Sequence, residues 1–144
     1  MRFRIVVVGR PRSQTLADAI RDYEERAGHY WPLDVREVKA ADAAREWPRL
    51  EEAAAGATLV LCDEGGRTFD SPGFAAWLDK LRAEAKDVAF VIGGAFGVPD
   101  TARAKADERL SLAPWTLPHE LARLVLAEQL YRAGTIGRGE PYHK

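Results

Sequence analysis

Five short β-prone apolar runs, each followed by a stretch of helical character, organise this chain. Phe3 to Gly9 is an apolar run closed by glycine. Ser13 then offers an N-cap to a helix whose periodic residues include Leu16, Ala19, Ile20, Tyr23 and Ala27. Leu33 to Val38 alternates apolar and charged positions, the pattern of an edge strand, and the Ala-, Glu- and Arg-rich segment Ala41 to Ala55 predicts a second helix stopped by Gly56. Thr58 to Cys62 reads as a buried central strand that opens into Asp-Glu-Gly-Gly. Ser71 to Ala85 predicts a helix with Ser71 as N-cap and Pro72 at its first position; Phe74, Trp77, Leu78 and Leu81 form its stripe. Val88 to Ile92 is the next buried strand, Pro99 starts a short helix, and Arg109 to Leu112 supplies a last strand.

The final helix, Pro118 to Gly134, carries apolar residues on every side, so it is expected to be buried on more than one face. A domain of this size does not bury such a helix alone, which predicts a homodimer. Strands alternating with helices predict an α/β domain with a mainly parallel sheet and helices on both faces, one domain spanning residues 1–144.

Composition narrows the setting. Apolar residues at 47% and charged residues at 30% are those of an ordinary globular chain. A lone cysteine, Cys62, excludes an internal disulfide framework and suits a reducing compartment. The apolar run Ile5 to Val8 is too short for a signal-peptide core and no segment approaches a membrane span, so the expected location is cytoplasmic, with no membrane partner. Net charge is only −1, so any RNA contact must come from local patches. Arg2, Arg4, Arg10 and Arg12 form one candidate, and Arg132, Arg138, His143 and Lys144 another.

Candidate chemistry gathers in the last third. Gly93, Gly94 and Gly97 follow a strand, where open α/β sheets place ligand crevices, yet their spacing matches no dinucleotide or triphosphate fingerprint. Taken alone they fit a tight turn better than a binding loop. Ala113 to Pro118 forms an apolar, proline-bracketed loop that either accepts a planar ring or, through Trp115 and Leu117, plugs the core. Glu128 and Arg132 stand four apart in the favourable order, either a structural clamp or a device that aims Arg132 at a phosphate. In the tail, Tyr142 has a ring that stacks on bases and His143 titrates near neutral pH. Three scattered histidines and one cysteine lack metal-ligand spacing, and nucleophile motifs are absent.

Taken together, VVVGR near the start, VIGGAFG, SLAPWTLPHE, RLVLAEQLYRA and the terminal RGEPYHK closely resemble the RlmH (YbeA-type) family of SPOUT methyltransferases over essentially the whole chain. The resemblance implies a homodimer with a C-terminal trefoil knot, S-adenosylmethionine as cofactor, no metal, and methylation of N3 of a pseudouridine in 23S ribosomal RNA on the assembled ribosome. By position it assigns Cys62, Gly94, Ala113, Pro114, Trp115, Thr116, Leu117 and Pro118 to the cofactor. It assigns Arg132, Tyr142 and His143 to the catalytic tail, thought to lie over the partner's cofactor site. His143 is then the candidate base for the N3 proton, Arg132 the cation that stabilises the resulting anion, and Arg138 and Lys144 candidate RNA contacts. Competing readings are an RNA-binding module without cofactor and an unrelated nucleotide enzyme; the glycine turn and tail disfavour the first, the absent phosphate motifs the second.

Overall fold

The computed structural model describes all residues from Met1 to Lys144. Strands β1 (Phe3–Val8), β2 (Leu33–Val38), β3 (Thr58–Arg67), β4 (Val88–Val91) and β5 (Glu108–Leu110) alternate with helices α1 (Gln14–Gly28), α2 (Ala43–Ala53), α3 (Ser71–Ala83), α4 (Asp100–Lys105) and α5 (His119–Gly137). All pairings are parallel, in the order β2-β1-β4-β3-β5. The expected α/β architecture is therefore present, with β2 at an edge, as its charged alternation predicts.

Alternation along the central strands divides the core in two. Phe3, Ile5, Val7, Val88 and Phe90 pack beneath α1, α3 and α5, together with Trp31, Leu78, Leu126 and Leu130. Val6, Val8, Leu61, Ala89 and Val91 face the other way, against Trp47 and Leu50 of α2 and Ala102 of α4. Helices thus cover both faces, which is why β4, the middle strand, is buried at every position.

α5 packs across the first layer. Trp31 Nε1 donates to the Leu130 carbonyl at 2.9 Å. Arg123, 7% exposed, points inward and is held by Glu24 at 2.8 Å and Glu37 at 2.8 Å. On the remaining face Leu121, Leu124 and Val125 stay half-buried.

Several boundaries differ from expectation for local reasons. The cap of α3 is Asp70, whose carboxylate accepts from the Gly73 amide at 2.7 Å, and Ser71 is the first helical residue. Pro118 likewise stands just before the first residue of α5, and that helix runs on to Gly137. β5 spans only Glu108 to Leu110. β3 does not end at Cys62 but continues to Arg67, because Leu110 pairs with both Cys62 and Arg67 and residues 63–66 bulge between them. Gly66 permits this: a Cβ there would lie 2.6 Å from the Arg109 carbonyl carbon.

Candidate active site

Beside the bend of β3 after Cys62, and beyond the carboxyl end of β4, lies a cavity of about 620 Å³, closed on one side by the segment leading from β5 into α5. That is the position expected of a ligand crevice in an open parallel sheet, and the volume suits a small-molecule cofactor. Cys62, Gly94, Ala113, Trp115, Thr116, Leu117 and Pro118 all line it, whereas Pro114 stays outside the lining and is exposed. Trp115 is 79% exposed, so it does not plug the core; Leu117 lines the cavity and also packs against the larger core cluster.

The walls differ in character. Ile92, Leu112 and Leu117 supply apolar surface beside Cys62, whose thiol burial pushes up to about 12, leaving it a neutral wall rather than a nucleophile. Opposite charges gather at the bulge of β3. The Asp63 carboxylate, 9% exposed, accepts from Arg109 at 3.0 Å and Arg103 at 3.3 Å, and Glu64 accepts from the Thr116 hydroxyl. Ser111 Oγ donates to the Ala113 carbonyl at 2.8 Å and so shapes the loop where it leaves β5.

The glycine turn is a close packing site as well as a wall. Glu46 of α2 is buried behind it; one of its oxygens accepts from the Ala41 amide at 2.9 Å and the other has no partner. A Cβ at position 94 would lie 2.7 Å from that second oxygen, so residue 94 must be glycine while Glu46 keeps its place. Neither Glu46 nor Arg103 gave a sequence signal, since each is one charged residue in a helix full of them. Asp63 and Glu64 were visible as the abrupt charge after a buried strand.

The tail residues assemble around Glu128. Arg132 donates to its carboxylate at 2.9 Å and Tyr142 at 2.8 Å, and Arg132 Nη1 lies 3.0 Å from His143 Nδ1. The Glu128 contact raises the Arg132 guanidinium further above its usual range. Burial, with the Tyr23 and Glu128 hydrogen bonds, raises Tyr142 as well, so its hydroxyl stays protonated. Arg138 stacks 4.6 Å from the Tyr30 ring, and Lys144 is exposed at the chain end.

Cavity and tail do not meet within one chain. His119 lines the cavity at the first residue of α5, and Arg132 sits thirteen residues later on the same helix. At about 1.5 Å per residue the separation is roughly 20 Å. No residue after Ala122 lines the cavity. No cluster of three or more His, Cys, Asp or Glu side chains is placed to hold a metal ion.

Residues 1–143 match the family model described as predicted SPOUT methyltransferase. A protein from Gemmatimonas aurantiaca named ribosomal RNA large subunit methyltransferase H is 60% identical, with all of both chains covered. One of the same name from Sorangium cellulosum is 44% identical over 99% of each chain. Among solved structures, a probable methylase family protein from Haemophilus influenzae aligns with TM-score 0.61 and 17% identity, covering 99% of this chain and 70% of its own. A probable methyltransferase from Bordetella pertussis gives 0.59 and 17%, covering 92% and 95%. At that identity the two structures speak to the fold alone.

Proposed function

The chain belongs to the SPOUT methyltransferase family, among the ribosomal RNA large subunit methyltransferases H, and we propose that it methylates N3 of a pseudouridine in 23S ribosomal RNA, with S-adenosylmethionine as donor. The cavity beside the bend of β3 and the end of β4 is the observation that carries this reading, because it unites seven of the eight residues expected to hold the cofactor. Its residues fit that ligand. Apolar Ile92, Leu112 and Leu117 suit an adenine face, and the Glu64 carboxylate suits a ligand that bears positive charge. When bound, the cofactor supplies an already activated methyl group, so no metal is required.

The protein's own task is to align the nucleotide and manage the N3 proton. In the resting subunit Arg132 occupies His143 Nδ1. A substrate that draws Arg132 toward the developing imide anion releases that lone pair, and His143 takes the proton. Glu128 keeps the guanidinium oriented during this exchange.

The roughly 20 Å between cavity and tail supports a homodimer in which each cavity is completed by the partner's tail. The half-buried face of α5, Leu121, Leu124 and Val125, is a surface for that contact. The same reading includes the C-terminal trefoil knot that the family resemblance implies. No helix is long and apolar enough to cross a membrane, and the proposed ribosomal substrate supports a cytoplasmic location.

The test is methyl transfer from labelled S-adenosylmethionine to assembled ribosomes that lack the modification, with the product nucleoside identified by mass spectrometry. Label in an N3-methylated pseudouridine is expected. Cofactor binding without label on any ribosome would overturn the substrate, and absence of cofactor binding would overturn the whole reading.

A further inference from the structure

Of the four arginines at the start of the chain, Arg2 and Arg4 lie at the amino end of β1, away from the cavity. Arg4 is also tied down, at 12% side-chain exposure, by Asp87 at 3.2 Å and the Ala55 carbonyl at 2.8 Å. Arg10 and Arg12 differ in both respects. They occupy the loop from β1 to α1, at the same carboxyl edge of the sheet as the cavity. Gly9, Arg10 and Pro11 line a shallow crevice with Gly93 and His119, and those two residues also line the main cavity.

The backbone of this loop is fixed while its cationic side chains are free. The Gly9 amide donates to the Val38 carbonyl at 2.8 Å and the Arg12 amide to Glu120 Oε1 at 2.9 Å; Ser13 caps α1. The Arg10 side chain is 91% exposed, and its nearest carboxylate, Glu37, is 4.0 Å away with its other oxygen already held by Arg123 at 2.8 Å. Arg12 is exposed, and its one hydrogen bond to a carboxylate, Glu120, is made by the backbone. Several exposed arginines on the helices are instead paired with carboxylates close along the chain, as in Arg26 with Asp22, Arg45 with Asp42 and Arg82 with Asp79. In a chain of net charge −1, two uncompensated guanidinium groups on an ordered loop beside the cavity form a phosphate-seeking surface.

We propose that Arg10 and Arg12 form a clamp for RNA phosphates beside the cofactor cavity, on the subunit that supplies the cavity, and set the target nucleotide's register over it. The clamp rests on the proposed RNA substrate and adds to it a second contact surface, separate from Arg138 and Lys144. Phosphate contacts fix position without reading sequence, so the effect belongs in substrate binding rather than in the chemical step.

The experiment compares wild type, the Arg10→Glu/Arg12→Glu double variant and the Arg10→Lys/Arg12→Lys double variant. It measures KM and kcat on unmodified ribosomes over a range of salt, and cofactor affinity by calorimetry. Charge reversal is expected to raise KM at least about tenfold near 0.15 M salt and leave kcat and cofactor affinity unchanged. Because each phosphate contact contributes roughly 0.7 to 0.9 to the log–log salt slope, that slope should fall by about 1.5. The lysine variant keeps the charge and should stay near wild type. An unchanged KM and slope, or a matching loss of cofactor affinity, overturns the clamp. Wild-type enzyme that methylates no ribosome overturns the proposed substrate and the clamp together, whereas active wild type with an unaffected charge-reversed variant overturns the clamp alone.

Discussion

Arg132 Nη1 lies 3.0 Å from His143 Nδ1, and because a guanidinium has donors only, the imidazole nitrogen is the acceptor. The ring is therefore held with its Nδ1 lone pair covered until Arg132 moves. His143→Ala should lower kcat about 10²- to 10⁴-fold, the usual worth of a general base, with cofactor affinity within twofold of wild type. Single-turnover kinetics and calorimetry check this; equal loss of turnover and affinity would make His143 a structural or cofactor-holding residue instead.

Arg132→Lys should not restore activity. The guanidinium donates to Glu128 through both Nε and Nη2 while Nη1 reaches His143, a planar fork that one ammonium does not reproduce. The expected kcat of Arg132→Lys lies close to that of Arg132→Ala, with thermal stability unchanged between the two.

Gly94→Ala places a methyl group 2.7 Å from the buried Glu46 oxygen. Relief requires the turn to move into the cavity or Glu46 to leave its site. The expected cost is about 1–3 kcal/mol of stability, with cofactor affinity lowered more than tenfold. Thermal melts and calorimetry on the folded variant measure both.

Cys62 and Tyr142 hold their protons above the usual range in the folded state. Cys62 shifts from 9.0 to about 12, so its contribution to stability is complete below pH 9 and is lost as pH rises toward 12. Urea midpoints should fall between pH 8 and pH 10.5, and fall less in Cys62→Ala. At pH 8 the native thiol should also react with iodoacetamide far more slowly than the unfolded one, since raising it from 9.0 to about 12 cuts the thiolate about a thousandfold.

Arg123→Ala leaves Glu24 of α1, 13% exposed at its side chain, without its cation beneath α5. Breaking a buried pair from one side costs about 3–5 kcal/mol, so the variant should melt many degrees lower or fail to accumulate. Its sequence neighbours hid this role, because Arg123 stands amid apolar residues in a helix whose apolar periodicity runs all round.

The strands and helices were legible because their burial is written in alternation and periodicity: Phe3, Ile5 and Val7 against Val6 and Val8, or the charged edge of β2. What escaped was set by contacts that residue types do not announce, one distant in sequence and one local. β3 continues past Cys62 only because Leu110 returns to pair with Arg67, and Asp70 displaces Ser71 as cap through a single local hydrogen bond. The cavity loop Ala113 to Pro118 and the Glu128, Arg132, Tyr142 and His143 cluster were visible as motifs. Their separation was implied as well, since the helix expected from Pro118 to Gly134 already carries Arg132 away from the loop, and α5 runs unbroken from His119 to Gly137.

That separation makes a direct test possible of the claim that one working site takes its cavity from one subunit and its Arg132–His143 pair from the other. Gly94→Ala and His143→Ala proteins are unfolded together, refolded as mixed dimers and assayed for methyl transfer to unmodified ribosomes at a cofactor concentration far below the Kd of the Gly94→Ala cavity, where each variant alone is nearly inactive. In a twofold dimer half the molecules are mixed and each carries one intact site, so activity should recover to about a quarter of wild type. Activity that stays at the level of the separate variants, with mixed dimers confirmed by mass spectrometry, would contradict a shared site.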